Sequence, residues 1–216
     1  MPYRRTDDVI RRLAEREKAI LEAAIALAGE GGMAAVQIAA VARRAGIAAG
    51  TVYRYFPTKN DLVAELIAAV AGRELEAMQT AADAAPGPLS ALASAIARFA
   101  ARALAERKLA WAVIGEAVDP EVDVMRIDFR QSLAGELERR INIAIGLRFL
   151  PEQDARLGAL AIVGALMEGL LSPQAPDYAD AAAAREAVQT VTLFSLRALG
   201  VIDARARGMV AQVVLS

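Results

Sequence analysis

Residues 37–62, QIAAVARRAGIAAGTVYRYFPTKNDL, leave this chain few ways to fold. Val41, Ala42 and Ala45 repeat at helical spacing, Gly46 interrupts them, and Ile47 and Val52 resume the apolar pattern on the far side. That spacing predicts a helix over 38–45, a tight glycine turn and a second short helix over 49–56, packed on each other at a fixed angle. Pro57 ends the pair. Thr58-Lys59-Asn60-Asp61 reads as a capping box that opens the next helix, with Asp in place of Glu. The second short helix carries Thr51, Tyr53, Arg54 and Tyr55 in a dense row, with Lys59 just beyond. Hydroxyls and cations on so short a helix suit the DNA major groove.

Small residues dominate the first turn of that helix. Ala48, Ala49 and Gly50 let backbone N–H groups come close to phosphate, aided by the helix dipole. Thr51 and Tyr53 can donate hydroxyl hydrogen bonds to phosphates, and Lys59 adds a charged contact. Ala48, Ala49 and Gly50 offer no side-chain hydrogen bond to a base edge. Direct readout then falls to Thr51, Arg54 and Tyr55, or to a methyl contact from Ala49 with thymine. Tyr53, Tyr55 and Phe56 have a plainer reading as core aromatics of a small bundle, which suits Phe56 best.

The rest of the chain reads as helix. Segments are predicted at 8–30, ending at Gly31-Gly32, and at 58–82, with Leu62, Leu66, Ala69 and Val70 on its inner face. After the break at Pro86-Gly87-Pro88 come 89–107, a short piece around Trp111, then 120–147, 151–171 and 180–199. Residues 202–216 read as a frayed tail or a last short helix. The fold class expected is all-α: an amino-terminal three-helix DNA-binding domain over 1–75, with its helix-turn-helix at 37–56, and a helical domain over 76–216.

Of the 216 residues none is cysteine or histidine, which excludes disulfides, zinc fingers, a cysteine nucleophile and a Ser-His-Asp triad. No cofactor or metal is expected. Residues 1–12 are polar and charged, unlike a signal peptide, and the longest apolar run, 157–167, is too short for a bilayer. A cytoplasmic protein with no membrane partner is expected. The net charge of −1 hides a split, since residues 1–60 carry ten Lys+Arg against six Asp+Glu. The positive end coincides with the helix-turn-helix. An amino-terminal arm bearing Arg4, Arg5, Arg11 and Arg12 is expected to reach the minor groove and read DNA shape. The acids Asp119, Glu121 and Asp123 around Pro120 read as a helix cap and its dipole complement rather than a catalytic pair.

The run Ala42 to Leu62, ARRAGIAAGTVYRYFPTKNDL, resembles the DNA-binding domain of the TetR/AcrR family of bacterial regulators, and the likeness covers about residues 15–75. It follows the family's A-x-x-A-G-(V/I)-x-x-G-(T/S) pattern and the Y-x-(Y/H)-F-x-(S/T)-K-x-x-L that comes after. The resemblance implies that Thr51, Tyr53 and Lys59 anchor phosphates. It also implies that Ala49, Gly50, Thr51, Arg54 and Tyr55 face or flank the groove. Three positions depart from the pattern: Ala48 and Gln37 stand where capping Ser and Thr are common, and Ala39 where a basic residue is common. A lost cap costs about 1 kcal/mol.

What the resemblance implies for the remainder is a ligand-sensing and dimerisation domain, hence a homodimeric repressor released from a double-stranded DNA operator by a small molecule. The helices at 151–171 and 180–199 are the dimer candidates. The small residues Ala155, Gly158, Ala159, Ala161, Ile162, Ala165 and Gly169 line the first. Val188, Val191, Thr192, Ser195 and Leu199 line the second. The alternative for both is an ordinary core helix pair. Candidate effector-pocket residues are Trp111, Met125, Phe129, Met167 and Glu168. Glu168 follows an apolar run, and it reads as a ligand contact, an arginine partner or a solvated helix end. Two rival functions are a ligand-independent architectural DNA binder and a helical enzyme or carrier.

Overall fold

The computed structural model describes residues 3–117, 119–178 and 180–212. Every regular element among them is helical. Helix α1 spans Tyr3–Gly31, α2 Ile38–Arg44, α3 Ala49–Tyr55 and α4 Lys59–Asp83. Helices α5 (Pro88–Ala105), α6 (Arg107–Ile114), α7 (Pro120–Gly146), α8 (Ala155–Leu166), α9 (Ala181–Ala198) and α10 (Asp203–Gln212) follow. One apolar core runs from Ile20 to Val210 without a break between the amino-terminal helices and the rest.

Helix α1 starts earlier than its apolar pattern suggests. The first buried residue is Ile20, yet the helix begins at Tyr3. Ion pairs Arg11–Asp8, Arg11–Glu15 and Lys18–Glu22 run along the exposed turns, each worth a few tenths of a kcal/mol. This corrects the arm: positions 4, 5, 11 and 12 are helical, and Arg11 is held by Asp8 and Glu15. A helix about 10 Å across does not enter a minor groove about 6 Å wide. At the other end Gly32 takes φ +70° and stops the helix as expected.

Helix α4 is the longest link between the two ends of the molecule. Its first turn is closed by Thr58 and Asp61: the Asp61 N–H donates to Thr58 Oγ1 at 3.1 Å, and the Thr58 N–H donates to Asp61 Oδ2 at 2.9 Å. Leu62, Leu66, Ile67 and Val70 are buried along it. The helix packs against α5 and α7 and runs unbroken through position 75, so the expected domain line falls inside it. The chain turns only at residues 84–87.

Helix α8 begins at Ala155 rather than at Pro151, because the Asp154 carboxylate caps it, accepting from the Leu157 N–H at 2.9 Å. It ends in one π-helical turn, Met167–Leu171, closed by the Ser172 N–H donating to Met167 O at 2.9 Å. The carboxy-terminal segment forms α10 against α9 and α5; residues 213–216 of that expected tail lie outside the described residues.

The faces expected to make the dimer are used partly within the chain, with Gly158 and Ala165 half-buried and Ala161 and Gly169 exposed. Ala155, Ala159 and Ile162 are buried, and α8 packs on α7. Val188, Val191, Thr192, Ser195 and Leu199 are buried as well, with α9 packed on α5. The Thr192 and Ser195 hydroxyls donate to Val188 O and Val191 O of their own helix. Small residues let these helices close tightly within the chain. What they turn outward is Leu157, Leu160, Ala161 and Gly164 on α8, and Thr190 and Phe194 on α9.

Candidate nucleic-acid interface

The α2–α3 pair is fixed from below. Val41, Ala42 and Val52 are buried, and Ile47 and Ala45 are half-buried against the same core. Gly46 adopts φ +67°, a conformation that costs other residues about 1 kcal/mol or more. The Ile47 N–H donates to Ala42 O at 3.0 Å and closes the turn. These contacts set the angle at which α3 leaves the domain.

The outer surface of α3 then follows from its register. Ala49, Gly50, Tyr53 and Arg54 are exposed, while Thr51 and Tyr55 are half-buried. Tyr53, 51% exposed, is no core aromatic, whereas Phe56 is buried. Lys59 stands half-buried at the first position of α4. The sequence therefore brings Ala49, Gly50, Thr51, Tyr53, Arg54, Tyr55 and Lys59 together on and beside one short helix. Neither Ala48 nor Gln37 makes a side-chain cap. Gln37 instead donates from Nε2 to Ala34 O at 3.0 Å.

Electrostatics divide the nearby cations. Arg44 is tied to Glu30 at 2.7 Å, and that hydrogen bond holds the Glu30 carboxyl below its usual range. Arg12, Arg16, Arg43 and Arg54 make no hydrogen bond or ion pair among the described residues.

Three long-range contacts hold this end of the molecule to the bundle, and nothing in the sequence pattern pointed to them. Lys108 Nζ donates to Glu30 O at 2.8 Å, and Asn60 Nδ2 donates to Glu121 Oε2 at 2.9 Å. The Met33 N–H donates to Glu116 Oε2 at 3.1 Å. Glu116 lies so close to the α1–α2 turn that a Cβ on Gly32 would stand 2.6 Å from its Oε2. Behind them Arg126 is buried, paired with Asp123 at 3.0 Å, its Nε without a partner. Burial pushes its pKa down, against the pull of Asp123.

Inside the bundle, α4, α5, α6 and α7 enclose a cavity of about 100 Å³. Val70, Phe99, Leu109, Val113, Ile114 and Phe129 supply its apolar wall. Glu74, Arg102 and Glu106 supply the polar end, where Arg102 makes a two-pronged pair with Glu74 at 2.8 Å in each arm. Of the five pocket candidates only Phe129 lines it. Trp111 packs over Gly115, Met125 is half-buried on α7, and Met167 is buried in the π turn. Glu168 is exposed on that turn, so it needs no buried partner. A second, open groove of about 610 Å³ runs between the end of α8 and α9, beside Gly169, Tyr178 and Phe194.

Known proteins match both the interface and the frame. The sequence profile of the bacterial regulatory proteins, tetR family, matches residues 20–66. The HTH-type transcriptional repressor KstR of Mycolicibacterium smegmatis is 48% identical over 69 residues, 32% of this chain and 32% of that protein. KstR of Rhodococcus jostii is 51% identical over 73 residues, 34% of this chain and 32% of its own. The match thus spans about a third of the length of these curated relatives. Among solved structures, FadR of Bacillus halodurans, a fatty acid degradation regulator, superposes with a TM-score of 0.73 at 23% identity, covering 84% of this chain and 94% of its own. RolR in complex with resorcinol superposes with a TM-score of 0.67 at 18% identity, covering 94% and 96%. These show a shared fold. A segment that matches the tetR family of bacterial regulatory proteins over residues 20–66 thus stands at the head of an all-helical frame whose fold these solved structures share.

Proposed function

We propose that this protein is a homodimeric repressor that binds double-stranded operator DNA and leaves it when a small molecule enters the helical bundle. The observation that carries the reading is α3: a rigidly seated short helix whose exposed side is Ala49, Gly50, Tyr53 and Arg54, flanked by Thr51, Tyr55 and Lys59. The relatives that share this domain are named repressors. Such a protein works in the cytoplasm, where its DNA is. No helix among the described residues is long and apolar enough to cross a membrane.

Dimerisation uses the outward side of α8 and α9. Leu157 is 64% exposed, Leu160 44% and Phe194 55%, an apolar face that a second copy covers by twofold pairing. The Leu160→Glu variant is expected to be a monomer by light scattering, with operator affinity lost because two half-sites are no longer held together.

The effector site is the cavity under α4. As it stands it is smaller than the roughly 300–1,000 Å³ of ligand sites, so an effector must spread the helices. RolR, with the same fold, was solved in complex with resorcinol, and FadR of Bacillus subtilis in complex with stearoyl-CoA. Spreading pushes α4 at Val70 and Glu74, and α4 carries Lys59 at its far end. The contacts at Glu116, Lys108 and Glu121 oblige the α1–α2 turn and the start of α4 to follow. A ligand acts only through its differential affinity for the two geometries.

The test is binding to DNA from the protein's own upstream region against scrambled DNA, across a salt series. A specific complex of dimer stoichiometry that weakens with salt, and is lost in Thr51→Ala/Tyr53→Ala, supports the repressor. Equal weak binding to both DNAs favours an architectural binder. No binding at low salt refutes both.

A further inference from the structure

The search for unused chemistry leads to the other side of α3. A groove of about 340 Å³ separates the projecting part of α1 from the recognition helix. Its walls carry Arg12 and Arg16 from α1, and Thr51 and Arg54 from α3; Val9, Leu13 and Tyr55 complete them. Among the described residues no carboxylate lines it.

Helical geometry explains this sorting. Residues 9, 12, 13 and 16 fall on the face of α1 that continues into buried Ile20. Residues 8, 11, 15, 18 and 22 fall opposite, and there the charges are mutually neutralised: Arg11 with Asp8 and Glu15, Lys18 with Glu22. Along the projecting part of α1 the paired acids Asp8, Glu15 and Glu22 are spent on the outer face, while Glu30 at its far end is held by Arg44. Arg12 and Arg16 remain unpaired among the described residues, and so does Arg54 across the groove. Three like charges around one groove repel each other, and only an anion relieves that.

We infer that this groove holds the DNA sugar-phosphate backbone, with Arg12 and Arg16 on α1 and Arg54 on α3 gripping phosphates from two sides. The inference rests on the repressor reading, and it extends the interface to a second helix. The groove is continuous with the candidate DNA surface, since Thr51, Arg54 and Tyr55 belong to both. From Ile20 back to Tyr3 the helix projects about 25 Å, enough to follow a strand beyond the recognition helix. Because α1 is helical here, its arginines stay out of the minor groove. They add affinity without reading sequence.

The experiment measures the salt dependence of binding by the full dimer, on operator and on scrambled DNA. Loss of four phosphate contacts in the Arg12→Gln/Arg16→Gln dimer, two from each protomer, should make the slope of log affinity against log salt shallower by about 3.6. Affinity should fall by the same factor on both DNAs. Arg12→Lys/Arg16→Lys should keep most of the slope, since charge is retained. Arg11→Gln/Lys18→Gln removes as much charge from the outer face and should leave the slope unchanged. Helix content and melting temperature, expected to match the wild type, separate binding loss from unfolding.

An unchanged slope in the Gln pair, with wild-type operator binding intact, overturns the groove and leaves the repressor standing. A loss confined to operator DNA overturns it too, because backbone contacts carry no sequence preference. An equal loss of slope in the outer-face control also overturns it, since any charge would then serve. Failure of the wild type to bind DNA at all removes the groove and the repressor together.

Discussion

Four arginines beside α3 and three in the bundle are treated in opposite ways, although Arg44 near α3 pairs with Glu30, and Arg73, Arg148 and Arg185 make no side-chain hydrogen bond or ion pair among the described residues. Beside the recognition helix, Arg12, Arg16, Arg43 and Arg54 make no pair among the described residues. In the bundle, Arg140 is buried between Glu136 and Asp83 at 2.7 Å to each, and Arg102 grips Glu74. Arg107 donates to three carbonyls, those of Ser172, Ala175 and Pro176. A paired guanidinium joins helices and is not available to a partner. An unpaired one does nothing for the fold and is kept in water, ready for a polyanion. The same residue type thus marks packing in one region and binding in the other.

Single substitutions sharpen or break this contrast. Arg140→Ala removes the pairs to Glu136 and Asp83, leaves the buried Glu136 carboxylate to Arg139 alone, and is expected to destabilise the protein by about 2 kcal/mol, read by urea denaturation. The DNA salt slope of its folded fraction stays the same. Arg54→Gln is expected to do the reverse, leaving the unfolding free energy within about 0.5 kcal/mol while the dimer's salt slope becomes shallower by about 1.8, one contact from each protomer. If both variants changed both readouts, the division of labour would be wrong.

A smaller effect tests the bare start of α3. Helix α4 opens on the reciprocal Thr58–Asp61 cap, whereas Ala48 gives α3 none. Ala48→Ser is expected to stabilise the fold by about 1 kcal/mol, measured by thermal melting. Smallest is the acid response of the Glu30–Arg44 pair. The Glu30 carboxyl is lowered in the folded protein, so its contribution is present above the ordinary carboxylate range and disappears as pH falls through the lowered folded value. The Glu30→Gln variant should lose stability at neutral pH and differ little from the wild type in strong acid.

Much of the amino-terminal third was legible in the sequence because its rules are local. Gly46 needs φ > 0 for the turn, Thr58 and Asp61 cap across three residues, and the 37–56 pattern orders the side chains of one short helix. The bundle was legible as helices but not as faces. Small-residue stripes on 151–171 and 180–199 suit an interface within the chain as well as one between chains, and the structure uses them within. Glu168 was open to three readings, a ligand contact, an arginine partner or a solvated helix end, and the π turn leaves it exposed. The amino-terminal arginines looked like an arm because residues 1–12 are mostly charged and polar, yet positions 4, 5, 11 and 12 are helical, with ion pairs of Arg11 and Lys18 along the exposed turns.

By itself, then, the sequence determined an all-helical chain with a helix-turn-helix of the kind proposed to bind DNA, since turn, cap and register depend on residues within one or two helical turns. Tertiary structure alone decided which side of α8 and α9 faces out, which arginines stay free, and that Glu116 holds the α1–α2 turn from 83 positions away. Those outcomes depend on which surfaces compete for burial and which charges meet in space, and neither is written in spacing along the chain.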